Sequence, residues 1–405
     1  MGRPPRPVSL PLWTAYLGFV AVGLSNNVLG ASWLLLGPTF GQSLGSVGML
    51  IAALMLGSLA SSLTSGWVLS RLPVARYCAL GSAVAFAGLL GYLSSSWSLV
   101  VAATFITGVG SGMLTAGLNT FVATHYPASR MNWLHACYGL GSSLGPFLFT
   151  LWAFSLELPW RWTYGGIAAV YLGLAVLVFA TRHNWLPLRS EDASRDTSAE
   201  TGVPSNGLRR TLSLSVVWLA GGVFFVHNGT SMSTGQLGGS LFNLGRGVPA
   251  EVAGNAAALY WACVTVGRLL VGVFVDRVGS VRLLQLCMPV TVLGALLLWF
   301  APTPLAGFVA LAVMGLTLAP VYPTMISRTP QLVGAGLSAY AIGVQTAAAS
   351  LGSAALPGVL SAAADRGGAQ LIAPGLLIFA GVQFVVHEAL VRRGRRASDT
   401  RTAEA

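Results

Sequence analysis

The sequence contains no lysine and very few charged residues of any kind. Charged residues make up 8% of the 405 positions, whereas hydrophobic residues make up 54%. Because soluble domains carry roughly 25% charged residues, this composition excludes a water-exposed globule. Apolar runs near 20 residues match a bilayer core of about 30 Å, where the backbone must form helices. The composition therefore predicts a polytopic helical membrane protein.

Acidic residues and cysteines are also scarce. The chain has 11 acidic residues, and none lies near the middle of an apolar run. Its four cysteines, at positions 78, 137, 263 and 287, lie in apolar runs without metal-ligand spacing, which is typical of small packing residues. There is no phosphate-binding loop followed by lysine and no pair of carboxylates in a common cleft. We therefore predict no enzymatic activity, no cofactor and no metal.

Twelve apolar runs are long enough to cross a bilayer. One polar segment separates the sixth from the seventh, and its composition cannot bury a core. The predicted spans are 12–36, 47–69, 77–95, 98–121, 132–155, 163–181, 213–237, 251–275, 283–300, 304–326, 333–360 and 370–390. The predicted organisation is an N-terminal six-helix bundle at 1–181, a cytoplasmic linker at 182–212, a C-terminal six-helix bundle at 213–390 and a cytoplasmic tail at 391–405.

The arginines divide unequally between the two sides of the membrane. Of the 22, 18 fall in the two tails, the linker and one set of alternate loops, while 3 fall in the other set and Arg268 lies within a span. Because cytoplasmic loops are enriched in basic residues, the sequence predicts an inner-membrane protein with both termini in the cytoplasm. The dispersal of the arginines over short loops argues against nucleic-acid binding. We expect a monomer in the lipid bilayer.

The sequence contains an internal repeat of about half its length. Residues 272–282 read GVFVDRVGSVR, and 206 positions earlier residues 66–76 read GWVLSRLPVAR. The glycine and two arginines coincide, while Ser70 stands in the place of Asp276. Two such halves, each with a charged loop after its second helix, resemble the major facilitator superfamily. That resemblance implies two pseudo-symmetric six-helix bundles with a substrate site between them near the midplane.

Further motifs resemble the branch that contains fucose permease and the sodium-linked glucose transporters. They lie in spans 1, 4, 5, 8, 10 and 11, and they include Ser25-Asn26-Asn27, Leu118-Asn119, residues 132–146, Trp261 with Gly267-Arg268, Ala319–Thr324, Ser350–Gly352 and Leu356-Pro357. The resemblance also implies carboxylates in spans 1, 4 and 7. Here Gly30, Thr115 and Ser231 stand in those places, so the usual proton carriers of the branch are missing.

Polar side chains inside the apolar runs are the candidates for substrate contact. Amide, hydroxyl and imidazole groups match sugar hydroxyls in hydrogen bonding, and an indole offers a flat apolar surface to a sugar ring. The predicted substrate-binding residues are Asn26, Asn27, Trp33, Thr115, Asn119, His135, Tyr138, His227, Asn228, Gln236, Trp261, Tyr322 and Gln345.

Several of these residues have a structural alternative. The two asparagines of span 1 are also suited to breaking or kinking the helix. Trp33 is also suited to anchoring at the interface, His135 to capping a loop, and Gln345 to a buried structural hydrogen bond. Tyr322 lies between two prolines that remove backbone hydrogen bonds, so a helix break is predicted there.

The charged residues near the two repeated loops predict a gate. A cluster at the inner end of span 8 would hold the halves together on the cytoplasmic side. The predicted gate residues are Arg71, Arg76, Arg268, Asp276 and Arg277. Substrate contact by Arg268 is the alternative.

The sequence thus predicts a secondary transporter that works by alternating access. The expected substrate is a small neutral solute, a hexose-like sugar, because the cavity is predicted to carry no fixed charge, and the expected mode is uniport because no buried carboxylate is present. The alternatives are a proton- or sodium-coupled sugar symporter and an exporter of a lipophilic compound or lipid. A ligand-binding membrane sensor is disfavoured, because the linker and tails are too short for a signalling domain.

Overall fold

The computed structural model describes residues 10–126, 128–185 and 207–403, and these ranges are helical without strands. The first half contains six spans, of which the first consists of two helices. Its helices are α1 (Leu10–Asn27), α2 (Leu29–Thr39), α3 (Gly45–Leu69), α4 (Val74–Leu90), α5 (Trp97–His125), α6 (Ala128–Thr150) and α7 (Arg161–Ala180). Residues 186–206, most of the predicted linker, lie outside the described part of the chain.

The second half repeats this arrangement, and here the tenth span consists of two helices. Its helices are α8 (Gly207–Ser213), α9 (Ser215–Ser240), α10 (Ala250–Val278), α11 (Ser280–Phe300), α12 (Pro304–Leu318), α13 (Val321–Val333), α14 (Ala335–Gly367) and α15 (Ile372–Ala403). The described residues thus form twelve spans in two bundles of six, as the sequence predicted. We name the side that carries Trp185 and Gly207 the linker side, and the opposite side the distal side.

The helices differ in how apolar they are. Within the described ranges, eight are long and apolar enough to cross a membrane, or nine when α1 and α2 count as one span. The remaining long helices are α6, α9 and α10, which are more polar although each exceeds 20 residues. Polar positions along a span indicate contact with protein or with a water-filled cavity. These three helices therefore belong at the centre of the molecule.

Two of the spans are broken. The first bends by 42° between α1 and α2, directly after Asn26 and Asn27. The tenth is interrupted between Leu318 and Val321, at Pro320, where the ring removes a backbone donor. The predicted break near Tyr322 is therefore confirmed, and the kinking role weighed for the asparagine pair is the one that the structure shows.

The two repeated loops fold differently. Helix α10 continues through the predicted turn to Val278, so only Gly279 separates it from α11, with a φ of +83° that favours glycine. In the first copy, α3 ends at Leu69 and α4 begins at Val74, directly after Pro73. The loop predicted between the spans at 251–275 and 283–300 is therefore shorter than expected, because helix continues to Val278 and begins again at Ser280. In the first copy, Pro73 stands in the place of Gly279, which accounts for the longer turn there.

The two halves pack against each other on the distal side. Among the described residues, hydrogen bonds cross between them from Gln236 to the carbonyl of Asn26, from Ser361 to the carbonyl of Gly45, and from Ser155 to Glu251. All three crossings lie in the distal half of the helices. Glycine allows a close approach here: a Cβ at Gly30 would lie 2.5 Å from the carbonyl oxygen of Gln236. The molecule is therefore closed on its distal side.

The close contact between the two halves ends near the middle of the molecule. Gly139 of α6 faces Thr265 of α10, and a Cβ at Gly139 would lie 2.3 Å from the Thr265 hydroxyl. About one turn further toward the linker side, His135 on α6 and Arg268 on α10 are both exposed. Space therefore opens between the halves from this level toward the linker side.

Candidate functional site

Arg268 lies at the centre of a cluster of tyrosines. Its electrostatic neighbours are Tyr138, Tyr260 and Tyr322, which belong to α6, α10 and α13. Arg268 lies ten residues before Val278, and Tyr138 lies ten residues after Ala128, so both are about 15 Å from the linker-side ends of their helices. Arg268 of the second half and Tyr138 of the first therefore lie at one depth inside the membrane. We name these four residues the central cluster.

Two histidines border the central cluster, and the charge of Arg268 acts on both. His135 is exposed and packs edge-on against the ring of Phe19 at 5.5 Å. His227 is 5% exposed, and its Nδ1 lies 3.3 Å from the side-chain nitrogen of Gln383. His135 therefore borders the open space, whereas His227 belongs to the packing of the second half.

The guanidinium of Arg268 has no ion pair among the side chains that the structure describes. The described carboxylates lie elsewhere: Glu251 and Asp365 are at distal ends, and Glu388 lies 3.5 Å from His387. Asp276, the acidic residue nearest along the helix, follows eight residues later, a rise of about 12 Å. A role of Arg268, Asp276 and Arg277 in closing the linker side stays a prediction, because the structure is closed on the distal side.

The other gate candidates are exposed. The Arg71 guanidinium stacks over the ring of Trp67 at 3.8 Å, and Arg76 and Arg277 are exposed at the linker side. Among the described side chains, none of them forms an ion pair. A role in closing the linker side stays a prediction for these three arginines.

Hydrogen bonds hold two of the tyrosines in place. The Asn27 amide nitrogen donates to the Ser142 hydroxyl at 3.0 Å and lies 3.3 Å from the Tyr138 hydroxyl. In the other half, the hydroxyls of Ser231 and Tyr260 are 2.7 Å apart. Because each bond joins different helices, it orients its phenol without help from a ligand. Asn27 thus acts on the central cluster through Tyr138.

A second group of predicted residues lies between the halves on the distal side. The Gln236 amide donates to the carbonyl of Asn26 at 3.0 Å, and its own oxygen is buried without a partner. The Trp261 indole N–H is likewise unpartnered, and the ring lies against Gly235. These side chains seal the distal side in this conformation. Contact with substrate stays a prediction for them.

Two predicted substrate residues are structural. Trp33 is 2% exposed and packs between Gly37 and the ring of Trp97. Gln345 is 1% exposed, and its oxygen accepts a hydrogen bond from Thr329 at 2.9 Å. Both side chains are satisfied by neighbours within their own half. Neither side chain is open to a solute in this conformation, and substrate contact stays a prediction for both.

The remaining predicted residues are partly buried. Thr115 and Asn228 bond to carbonyls of their own helices, whereas the oxygen of Asn119 is buried without a partner. Tyr322 packs edge-on against Phe224 at 5.1 Å and lines a crevice of about 110 Å³ next to His227. The crevice leaves no room for a water molecule, so it does not itself hold a solute.

Sequence reasoning missed the role of Tyr260 and left Arg268 in the gate. One signal for the site was available. Trp261 and Arg268 are spaced i, i+7 and so share a face of α10, which placed the arginine toward the other half. Tyr260 lacked such a signal, because its hydrogen bond to Ser231 joins residues 29 positions apart.

Comparison with known proteins agrees with this architecture. The family model described as Major Facilitator Superfamily matches residues 15–357 and 221–401. The chain therefore belongs to the major facilitator superfamily and is a membrane transporter. A curated relative, the TsgA homolog of Erwinia tasmaniensis, is 20% identical over 323 residues, which cover 78% of each chain.

Solved structures share the fold at low sequence identity. The nucleoside transporter NupG is 14% identical with a TM-score of 0.75, and the match covers 95% of this chain and 99% of that one. FucP, solved in its outward conformation, is 17% identical with a TM-score of 0.62 over 94% and 98%. Because proteins with this fold carry different solutes, the fold alone does not select the fucose permease branch.

Proposed function

We propose that this transporter moves a hydroxyl-bearing solute of hexose size, a sugar or sugar derivative, by alternating access. The central cluster carries the proposal, because the partly exposed phenols of Tyr138 in the first half and Tyr322 in the second lie beside Arg268. Each phenol of the central cluster both donates and accepts a hydrogen bond, and Asn27 and Ser231 orient two of the three. A solute bound there contacts both halves, which is the arrangement that alternating access requires.

Uniport is the proposed mode. Of the places where the fucose permease branch carries carboxylates, Gly30 leaves no room for any side chain against Gln236. Ser231 is bonded to Tyr260, and Thr115 is bonded to its own helix. Without a titratable group at these places, the solute moves down its own gradient. Because most arginines lie on the linker side, we expect that side to face the cytoplasm.

Proteoliposome uptake tests the proposal. Purified protein is reconstituted, and uptake of ¹⁴C-glucose and ¹⁴C-gluconate is measured, each in competition with unlabelled sugars and with a neutral amphiphile. We expect saturable uptake of at least one of the two probes, reduced by Tyr138→Phe and insensitive to the amphiphile. If neither probe shows saturable uptake, the proposed solute class is wrong. If the amphiphile competes as well as the sugars, the site takes lipophilic compounds.

A further inference from the structure

The sequence predicted a substrate cavity without a fixed charge, and Arg268 contradicts that expectation. The residue lies in the interior of a span, where an ionised side chain costs at least about 3 kcal/mol and marks a functional position. It is exposed to the space between the halves and has no ion pair among the described side chains. Its guanidinium is therefore open to an anionic group of a solute.

We propose that Arg268 binds a carboxylate of the transported solute, so that the substrate is a hydroxylated monoanion such as a sugar acid. This inference rests on the proposed function and names the substrate class for the same site. The planar guanidinium presents paired N–H donors that match the two oxygens of a carboxylate. The partly exposed phenols of Tyr138 and Tyr322 then face the hydroxyl-bearing part of the molecule.

The surroundings of Arg268 favour a solute that carries one negative charge. It is the one arginine of the central cluster, and the described carboxylates lie away from it. A phosphate ester with two negative charges would leave one of them unpaired in this site. The single fixed charge therefore fits a carboxylate better than a phosphate.

The position of Arg268 also gives the anion a mechanical role. The arginine belongs to the second half, while Tyr138 and His135 belong to the first and lie just below the closest approach of Gly139 to Thr265. An anion held by Arg268 accepts further hydrogen bonds from groups of the first half. Binding therefore draws the linker-side parts of α6 and α10 together, the movement that precedes opening on the distal side.

Uptake by the full-length protein in proteoliposomes tests this inference. The probes are ¹⁴C-gluconate, ¹⁴C-glucose and ¹⁴C-glucose 6-phosphate, and the variants are Arg268→Gln, Arg268→Lys and the matched control Arg366→Gln at the distal end of α14. Removing one partner of a buried charge pair costs at least about 2 kcal/mol, or roughly 30-fold in affinity. We expect gluconate to be preferred, the KM for gluconate to rise about 30-fold in Arg268→Gln, partial rescue by lysine, and no change in the control.

Folding of the variants is checked by elution from a sizing column and by ligand stabilisation. In detergent, gluconate is expected to raise the Tm of the wild type and of Arg366→Gln, but not that of Arg268→Gln. Saturable glucose uptake that exceeds gluconate uptake and is unaffected by Arg268→Gln overturns the carboxylate while the proposed function stands. Preference for glucose 6-phosphate overturns it as well. Absence of uptake for every probe overturns the proposed function itself.

Discussion

At the scale of the residue, the main distinction is between polar side chains that hydrogen-bond to other protein groups and those that have no such partner and can bind a ligand. Gln345 accepts from Thr329, and Asn27 donates to Ser142. Arg268 has no comparable partner among the described groups. Composition alone treats all three as polar groups inside a membrane. Their partners decide which one faces a solute.

Gln345 gives a direct test of this distinction. Replacing it with alanine removes the hydrogen bond from Thr329, worth about 1 kcal/mol, so we expect Gln345→Ala to lower the Tm in detergent. The KM for the transported solute should stay unchanged, because the amide lies inside the second half. Thr346→Ala is the matched control, since the Thr346 hydroxyl is exposed and bonds only to its own helix. A raised KM at an unchanged Tm would show instead that Gln345 contacts the solute.

At the scale of the element, hydropathy predicted the spans well because membrane burial acts on whole segments. The second span was expected at 47–69 and is Gly45–Leu69, and the break near Pro320 was expected from the proline ring. The rotation of each helix about its axis was harder to predict, because it depends on packing partners far away in sequence. Trp33 was therefore assigned to the cavity, although it faces Trp97.

Arg268 illustrates the second limit of the sequence. Its nearness to Asp276 along the chain suggested one charged cluster near the linker-side loop. A continuous helix to Val278 places the two residues about 12 Å apart along the axis. The sequence predicted a loop there because charged residues and glycine followed an apolar run. The helix instead extends beyond its apolar part, which separates the arginine from the acid.

The contact between α2 and α9 yields a prediction about conformation. Because a Cβ at Gly30 would lie 2.5 Å from the backbone of Gln236, Gly30→Ala should push the halves apart on the distal side. We expect the population to shift toward a state that is open on that side. The measurement is the distance between spin labels at Thr39 and Leu244, in protein whose native cysteines have been replaced by alanine.

The control for this change is Gly165→Ala on α7, where an added Cβ would meet nothing within 4 Å. The control should reproduce the distance distribution of the parent protein. If Gly30→Ala also leaves the distribution unchanged, the distal contact does not hold the halves closed.

At the scale of the whole molecule, the two halves and the single central charge determine how transport is driven. A neutral solute carried by a uniporter distributes independently of membrane potential. A monoanion carried by a uniporter moves charge across the membrane, and its distribution therefore follows the potential. A monoanion carried with one proton is again electrically silent, and it follows the pH gradient instead. The three modes thus differ in an observable that needs no knowledge of the exact solute.

We expect the monoanion uniport mode, because the central cluster combines Arg268 with an absence of described carboxylates. Moving one charge through 100 mV corresponds to about 2.3 kcal/mol. A free-energy difference of about 1.4 kcal/mol corresponds to a tenfold ratio of concentrations at equilibrium. A potassium diffusion potential of about 60 mV, set with valinomycin and positive inside, should therefore concentrate ¹⁴C-gluconate about tenfold in proteoliposomes. Neither a pH gradient nor a sodium gradient at zero potential should concentrate it. Accumulation driven by pH and abolished by His227→Ala would show instead that the protein couples transport to protons through that histidine.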